Sequence, residues 1–321
     1  MRNFKELTLE FEQRFNERHF PTNVPTLYDA AEHILSIKGK RIRPICVYLA
    51  NELFENFNED AYHAAAAIEL FHNFSLIHDD IMDKAPLRRG VETVHQKFGD
   101  NTALLAGDVM LVKAYECLAK ISAKYFYKCI EVFNKTAKEV CEGQQIDMNF
   151  EKVAEVSYDE YVNMITLKTS VLVASSLQMG AILGGAGLGN QEHLYEFGKN
   201  LGIAFQIQDD YLDAFGDATK TGKQKGGDII ANKKTFLMVH ARENCTAEQN
   251  AILDELIKTN PANKVEKVLE IFEACKAAEW ATELKEKYFA IALQHLDDVA
   301  VQAPRKEELK NLAAYLMMRE H

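Results

Sequence analysis

The sequence predicts an all-α protein, one large helical bundle spanning residues 1–321 as a single domain. Three observations predict it. Only 16 glycines and 6 prolines punctuate 321 residues, and long stretches without breakers favour helices over strands, which need frequent turns. Alternating apolar patterning is nearly absent. Most segments instead repeat their apolar residues at helical spacing.

Element by element, the N-terminal "MRNFKELTLEFEQRF" mixes charged and apolar residues at helical spacing and lacks the apolar core of a signal peptide. Residues 60–84 contain no Gly or Pro and are rich in alanine, a strong helix former. They read as one helix that Pro86 brings to an end. Residues 101–120 read as the next helix, capped by Asp100 or Asn101. Further helices are expected at 127–142, 157–183, 191–214, 233–243, 247–259, 263–276, 278–298 and 305–318. Residues 169–191 carry no charge, yet Ser170, Ser175, Ser176, Gln178 and several glycines dilute them. A membrane span needs about 20 predominantly apolar residues, so a buried helix packed through small residues is expected here.

The formal net charge is −11. That excludes nucleic acid as a natural partner, because its backbone must be neutralised by Lys and Arg. Six cysteines (Cys46, Cys117, Cys129, Cys141, Cys245, Cys275) are scattered without a CxxC pair, and they read as reduced packing residues of a cytoplasmic protein.

Chemistry is signalled by repetition. Asp79, Asp80 and Asp83 close one apolar helix, and Asp209, Asp210 and Asp213 repeat the D-D-x-x-D spacing near the end of another. A helix turns about 100° per residue, so the first and last aspartates of each triad share a face. Ser75 and His72 lie one and two turns back on the first stripe. A single triad reads as a solvated acidic helix end. Two triads, if they face each other, make an oxygen-rich cage suited to Mg²⁺, whose shell is completed by water and substrate phosphates. The spacing fits neither an EF-hand nor a zinc site. An acidic metal site implies basic residues for a phosphate. Candidates are Lys40 and Arg43 just before a helix, Arg88 and Arg89 after the first triad, and Lys223, Lys225 and Lys233 after the second. Lys168 is the one charge in residues 161–183 of an expected helix, where burial demands a partner.

Together "GKRIRP", "FHNFSLIHDDIMD", "RRG", "GQQID", "LKT", "FQIQDDYLD" and "NKKT" resemble, in order, the motifs of the trans-isoprenyl diphosphate synthases (polyprenyl synthetases). The likeness runs from about residue 25 to near the C-terminus. It departs in having Lys38-Gly39 where a double glycine is usual. The resemblance implies an isoprenoid-synthase bundle around a central apolar cavity, working as a homodimer. It implies that Asp79, Asp80, Asp83, Asp209, Asp210 and Asp213 bind three Mg²⁺ ions holding an allylic diphosphate, which Arg88, Lys168 and Lys233 also contact. It assigns Lys40, Arg43, His72 and Arg89 to isopentenyl diphosphate. Gln144 and Asp147 match a polar pair lining the cavity, and Thr169 and Gln206 match motif positions beside Lys168 and the second triad.

The residue types suit that chemistry. The allylic C–O bond ionises, cations stabilise the leaving diphosphate, the isopentenyl double bond attacks, and a proton leaves to the released diphosphate. Water must be kept out, and no side-chain nucleophile is needed. The family's chain-length floor falls on Phe74 and Phe71, about 7.5 Å and about 12 Å below Asp79 at 1.5 Å per residue, with Ser75 leaving room on the aspartate stripe. Simple helix angles put Phe74 to the side. The expected product is farnesyl diphosphate, with geranylgeranyl diphosphate next. A class I terpene cyclase and a non-catalytic diphosphate-binding subunit are the alternatives. The first lacks a second-substrate site, and complete triads speak against the second.

Overall fold

The computed structural model describes residues 2–54, 57–216 and 225–318, and their regular structure is helical apart from one short hairpin. The chain groups into two compact units: Met1–Lys135 with Ser175–Leu194 and Val299–Leu309, and Thr136–Ala174 with Tyr195–Asp298 and Lys310–His321.

In the first unit, α1 (Phe4–Phe15) starts at a capping box between Asn3 and Glu6 and buries Leu7, Phe11 and Phe15 along one stripe. Helix α2 (Pro25–Ser36) begins at a proline, whose missing N–H costs nothing at that position. Helix α3 (Ile42–Glu52) starts before Arg43, which therefore lies inside the helix rather than ahead of it. Helix α4 (Glu59–Met82) is capped by Asn58 and carries the first triad at its C-terminal end. Its Ala64–Ala67 run is fully buried, and these small side chains let α3 and α6 (Asp100–Leu118) pack closely against it.

Between α4 and α6 the chain makes a hairpin that strand patterning did not signal. Strands β1 (Leu87–Arg88) and β2 (Val91–Glu92) pair antiparallel through Arg89 and Gly90. Both turn residues have positive φ, 53° and 77°, as the tight hairpin turn that matches strand twist requires. A short α5 (Val94–Phe98) follows. Helix α6 is preceded by Gly99 at φ 84°, without a side-chain cap, so the expected Asp100 or Asn101 cap is not the one used. Helix α7 (Ala123–Phe150) is much longer than the 127–142 expectation. That extension puts Gln144 and Asp147 on a helix.

The uncharged stretch forms α9 (Val171–Leu183). The continuous helical run Tyr158–Leu183 is long and apolar enough to cross a membrane, but 72% of its most apolar window is buried inside the protein. Small residues explain the closeness of its packing. A Cβ on Gly180 would lie 2.2 Å from the Val47 carbonyl oxygen and 2.8 Å from Ala50 Cβ. Gly180→Ala is therefore expected to destabilise the protein by about 1–3 kcal/mol through overpacking, read as a lowered midpoint in urea unfolding.

In the second unit, α8 (Tyr158–Ile165) starts at a Ser157–Glu160 capping box. It runs into a π-helical turn, Thr166–Ser170, before α9. Two glycines meet this turn. A Cβ on Gly143 of α7 would sit 2.3 Å from the Lys168 backbone nitrogen, and one on Gly202 would sit 2.8 Å from Ser170 Cα. Gly202 belongs to α10 (Leu188–Phe215), which bears the second triad. The remaining helices are α11 (Gly227–Ile230), α12 (Phe236–Asn244), α13 (Ala247–Thr259), α14 (Lys264–Ala274), α15 (Ala277–Asp298) and α16 (Ala303–Met317). Tyr161, Ile207, Phe236, Leu253, Val268 and Phe272 belong to this unit's core. All six cysteines are free thiols.

Candidate functional site

The first unit gathers acid and base at the end of α4. Asp80 is 2% exposed and takes a bidentate clasp from Arg88, Nε to Oδ2 at 2.8 Å and Nη2 to Oδ1 at 2.7 Å. Arg88 Nη2 also lies 3.7 Å from Asp79. Burial pushes the Asp80 carboxyl up while the Arg88 contact holds it down. The chain reverses between α4 and β1, with Lys84 at φ 51° and the Ala85 N–H on the Asp80 carbonyl at 3.0 Å, and Arg88 follows at the start of the hairpin. Asp83 is exposed at the C-cap of α4.

One to two turns back, the basic residues converge on His72. Arg43 Nη1 lies 3.3 Å from His72 Nε2. Burial holds the imidazole well below its usual range, and the charges of Arg43, Arg89, Arg88 and Arg41 push the same way. A neutral His72 can thus accept from Arg43. Arg43 Nε is buried with no hydrogen-bond partner, and an anion would satisfy it. Arg89, exposed, donates from Nη1 to the Lys38 carbonyl at 2.9 Å. Its guanidinium lies across Gly39, where a Cβ would stand 2.6 Å from Nη1. Lys40 is exposed beside it. Ser75 donates its hydroxyl to the His72 carbonyl at 2.8 Å. Phe74 is half-buried, 5.5 Å from Phe71 and 4.7 Å from His78. Phe71 is fully buried, edge-on to Phe133 at 5.4 Å.

The second unit organises its part around α10. Lys168, on the π-helical turn, pairs with Asp147 at 2.6 Å, which supplies the partner that its apolar setting demanded. Thr169 and Gln144 are half-buried on the turn and on α7. Asp210 is 3% exposed and accepts from Gln206 Nε2 (2.9 Å), the Tyr161 hydroxyl (3.0 Å) and the Phe236 N–H (3.1 Å). None of those donors is a cation. Burial, with the nearby Asp228 charge, pushes its pKa up to about 7. Asp213 accepts from the Asp228 N–H at 3.0 Å, and Asp209 is half-buried. The exposed Lys233 has its N–H on the Asp228 carbonyl at 2.9 Å. Lys225 is exposed, and Lys223 lies outside the described residues.

Three participants escaped the sequence reading. Asp228 gave only the faint signal of a G-G-D run after the second triad. Tyr161 reads as an ordinary apolar-face residue. Arg41, between the two named basic residues, is turned inward onto Glu69. As metal ligands, the triads offer hard carboxylate oxygens that fit Mg²⁺. Among the described residues, however, no three acidic, His or Cys side chains form a cluster that could hold a metal ion.

Comparison with known proteins places the chain in a family. Residues 24–275 match the polyprenyl synthetase family model. The chain is 36% identical over 327 residues to a geranylgeranyl diphosphate synthase of Saccharolobus solfataricus, covering 98% of each chain. It is 36% identical to a short chain isoprenyl diphosphate synthase of Methanothermobacter thermautotrophicus, covering 100% of this chain and 98% of that one. A crystal structure of a geranylgeranyl pyrophosphate synthase superposes with a TM-score of 0.93 at 42% identity, covering 100% of both chains. The chain belongs to the polyprenyl synthetase family: it is an isoprenyl diphosphate synthase, a prenyltransferase of the all-α isoprenoid synthase fold.

Proposed function

We propose that this prenyltransferase condenses isopentenyl diphosphate with an allylic diphosphate to make geranylgeranyl diphosphate, ahead of the farnesyl product that the sequence favoured. The observation that carries the two-substrate reading is a second basic group, Arg43 and Arg89 beside a neutral His72, apart from the Arg88 that clasps Asp80. These like charges repel each other, and a polyanion relieves them. Arg43, His72, Arg89 and Lys40 hold the isopentenyl diphosphate. Arg88, Lys168 and Lys233 hold the allylic diphosphate, and Thr169 and Gln206 are assigned to the same substrate. The aspartates of both triads hold Mg²⁺. When bound, magnesium neutralises charge on the departing diphosphate. The side chains fix the diphosphates, keep water from the allylic cation, and leave the released diphosphate to take the proton.

The names of the relatives support the four-unit product. Of the two phenylalanines, Phe71 is committed to the core against Phe133, which leaves Phe74 as the candidate floor. Incubation with labelled isopentenyl diphosphate and dimethylallyl, geranyl or farnesyl diphosphate is expected to give a geranylgeranyl product, and Phe74→Ala a longer one. No consumption of the isopentenyl substrate overturns the function, and cyclised product from the allylic substrate alone would favour a cyclase. Unchanged length in Phe74→Ala removes Phe74 from the ruler.

A homodimer is proposed on the resemblance and on one feature of the first unit. Leu104, Leu105, Val112 and Tyr115 of α6 are exposed, and at about 100° per residue they share one face. A second copy is the natural cover for that stripe.

A further inference from the structure

Arg41 sits in the middle of "GKRIR", between two residues assigned to the isopentenyl diphosphate, yet its geometry is different. Lys40 is exposed and Arg43 half-buried, whereas Arg41 is 5% exposed. Its backbone is left-handed, φ 50° and ψ 31°, immediately before the first residue of α3, and it makes no side-chain cap. A non-glycine residue in that region is strained and persists only where the surroundings hold it.

The surroundings do hold it. The guanidinium Nη1 contacts the Glu69 carboxylate, which is itself buried. Nη2 donates to the Leu35 carbonyl at 3.4 Å, Glu12 stands 3.8 Å from Nε, and the Phe15 ring lies 5.5 Å away. The Glu69 carboxylate also accepts from Asn73 Nδ2 at 3.2 Å. Glu69 and Asn73 therefore bracket His72 on α4. The same ion pair thus ties the residue that starts α3 to the helical turn that presents His72. Two residues further on, Arg43 meets His72 at 3.3 Å. A slip at Arg41 would move Arg43 and Lys40 relative to His72.

We propose that Arg41 is a positioning residue: its buried ion pair with Glu69 holds the left-handed link that aims Lys40 and Arg43 at the isopentenyl diphosphate, and it does not touch substrate itself. This rests on the reading that Lys40, Arg43 and His72 bind that substrate. A forked guanidinium suits the task better than an ammonium, because it engages Glu69 and the Leu35 carbonyl in fixed directions. The role is one of register rather than net stability, which buried ion pairs seldom supply.

The test uses steady-state kinetics and thermal melting of the full chain. Arg43→Ala is the control for the substrate site and is expected to raise KM for isopentenyl diphosphate. Arg41→Lys keeps a charge opposite Glu69 and so keeps the fold. It is expected to raise that KM by about 10-fold or more, as misplacement of binding groups does, with KM for the allylic substrate unchanged. Arg41→Met with Glu69→Met removes both charges together and is expected to melt like the parent but to keep the raised KM. If Arg41→Lys and the double variant leave KM unchanged, or raise both KM values alike, while Arg43→Ala raises the isopentenyl KM alone, the positioning role is overturned. If Arg43→Ala leaves that KM unchanged, the substrate-site reading fails instead.

Discussion

Arg88→Ala is expected to lose stability and turnover together. Asp80 is buried at the last turn of α4, next to Asp79 and near Asp83, where the helix's own C-terminal carbonyls add negative potential. Arg88 covers both Asp80 oxygens at 2.7 and 2.8 Å and reaches Asp79 at 3.7 Å. Removing one partner of a buried pair leaves an uncompensated charge, at a cost of about 3–5 kcal/mol. The variant is therefore expected to unfold at a markedly lower urea concentration. Burial already pushes the Asp80 carboxyl up against the pull of Arg88, and without Arg88 it rises further. A carboxyl that binds its proton more tightly folded than unfolded loses stability as pH rises, so the deficit of the variant shrinks on acidification. Turnover is expected to fall by about 10²–10³, the loss seen when one preorganised group stabilising a developing anion is removed. Arg88→Lys keeps the charge without the fork and should fall between the two. An Arg88→Ala protein as stable as the parent at every pH would mean that Asp80 does not depend on the clasp.

What could be read from the sequence follows the range of the forces involved. The triads, the helix carrying Phe71, His72 and the aspartates, and the demand of Lys168 for a partner all rest on contacts within a few residues or on burial itself. They were legible, and Asp147 is the partner that Lys168 required. Features set by the approach of distant segments were not. The π-helical turn at Thr166–Ser170 lies where Gly143 and Gly202 come into close contact with it, and no spacing within "TLKTS" announces it. Asp228 reaches Asp213 beside Gly226, whose backbone is left-handed and whose N–H donates to the Asp213 carbonyl at 2.8 Å. The hairpin that carries Arg88 has strands of two residues, too short to leave a pattern. Arg41 was invisible for a subtler reason: its composition matches its substrate-binding neighbours, and only backbone handedness turns it inward.

Asp210→Asn is expected to make the metal-free protein more stable above neutral pH while abolishing most of its activity. Unlike Asp80, Asp210 accepts from Gln206, Tyr161 and Phe236 N–H, three neutral donors, and Asp228 adds a repulsive charge. Its carboxyl is raised from 3.8 to about 7. The folded protein then holds a proton that the unfolded chain has already released, so stability falls as pH rises from about 4 to about 7, by at most ~1.4 kcal/mol per pH unit. Asparagine has no such titration. It can accept from Tyr161 and Phe236 N–H while its amide donates to a flipped Gln206, so the cavity stays satisfied. Urea unfolding at pH 8 should show a gain of about 2–4 kcal/mol over the parent, and the slope between pH 4 and 7 should flatten. Activity should drop by about 10²–10³. Parallel pH profiles for the two proteins would overturn the assignment of the slope to Asp210. A cation bound at this carboxylate lowers its pKa, so adding Mg²⁺ with inorganic diphosphate to the parent near pH 7 is expected to release a proton. Diphosphate also sheds protons on binding Mg²⁺, so calorimetry in two buffers of different ionisation enthalpy compares the parent with Asp210→Asn, and equal proton release from the two would remove Asp210 from the metal site.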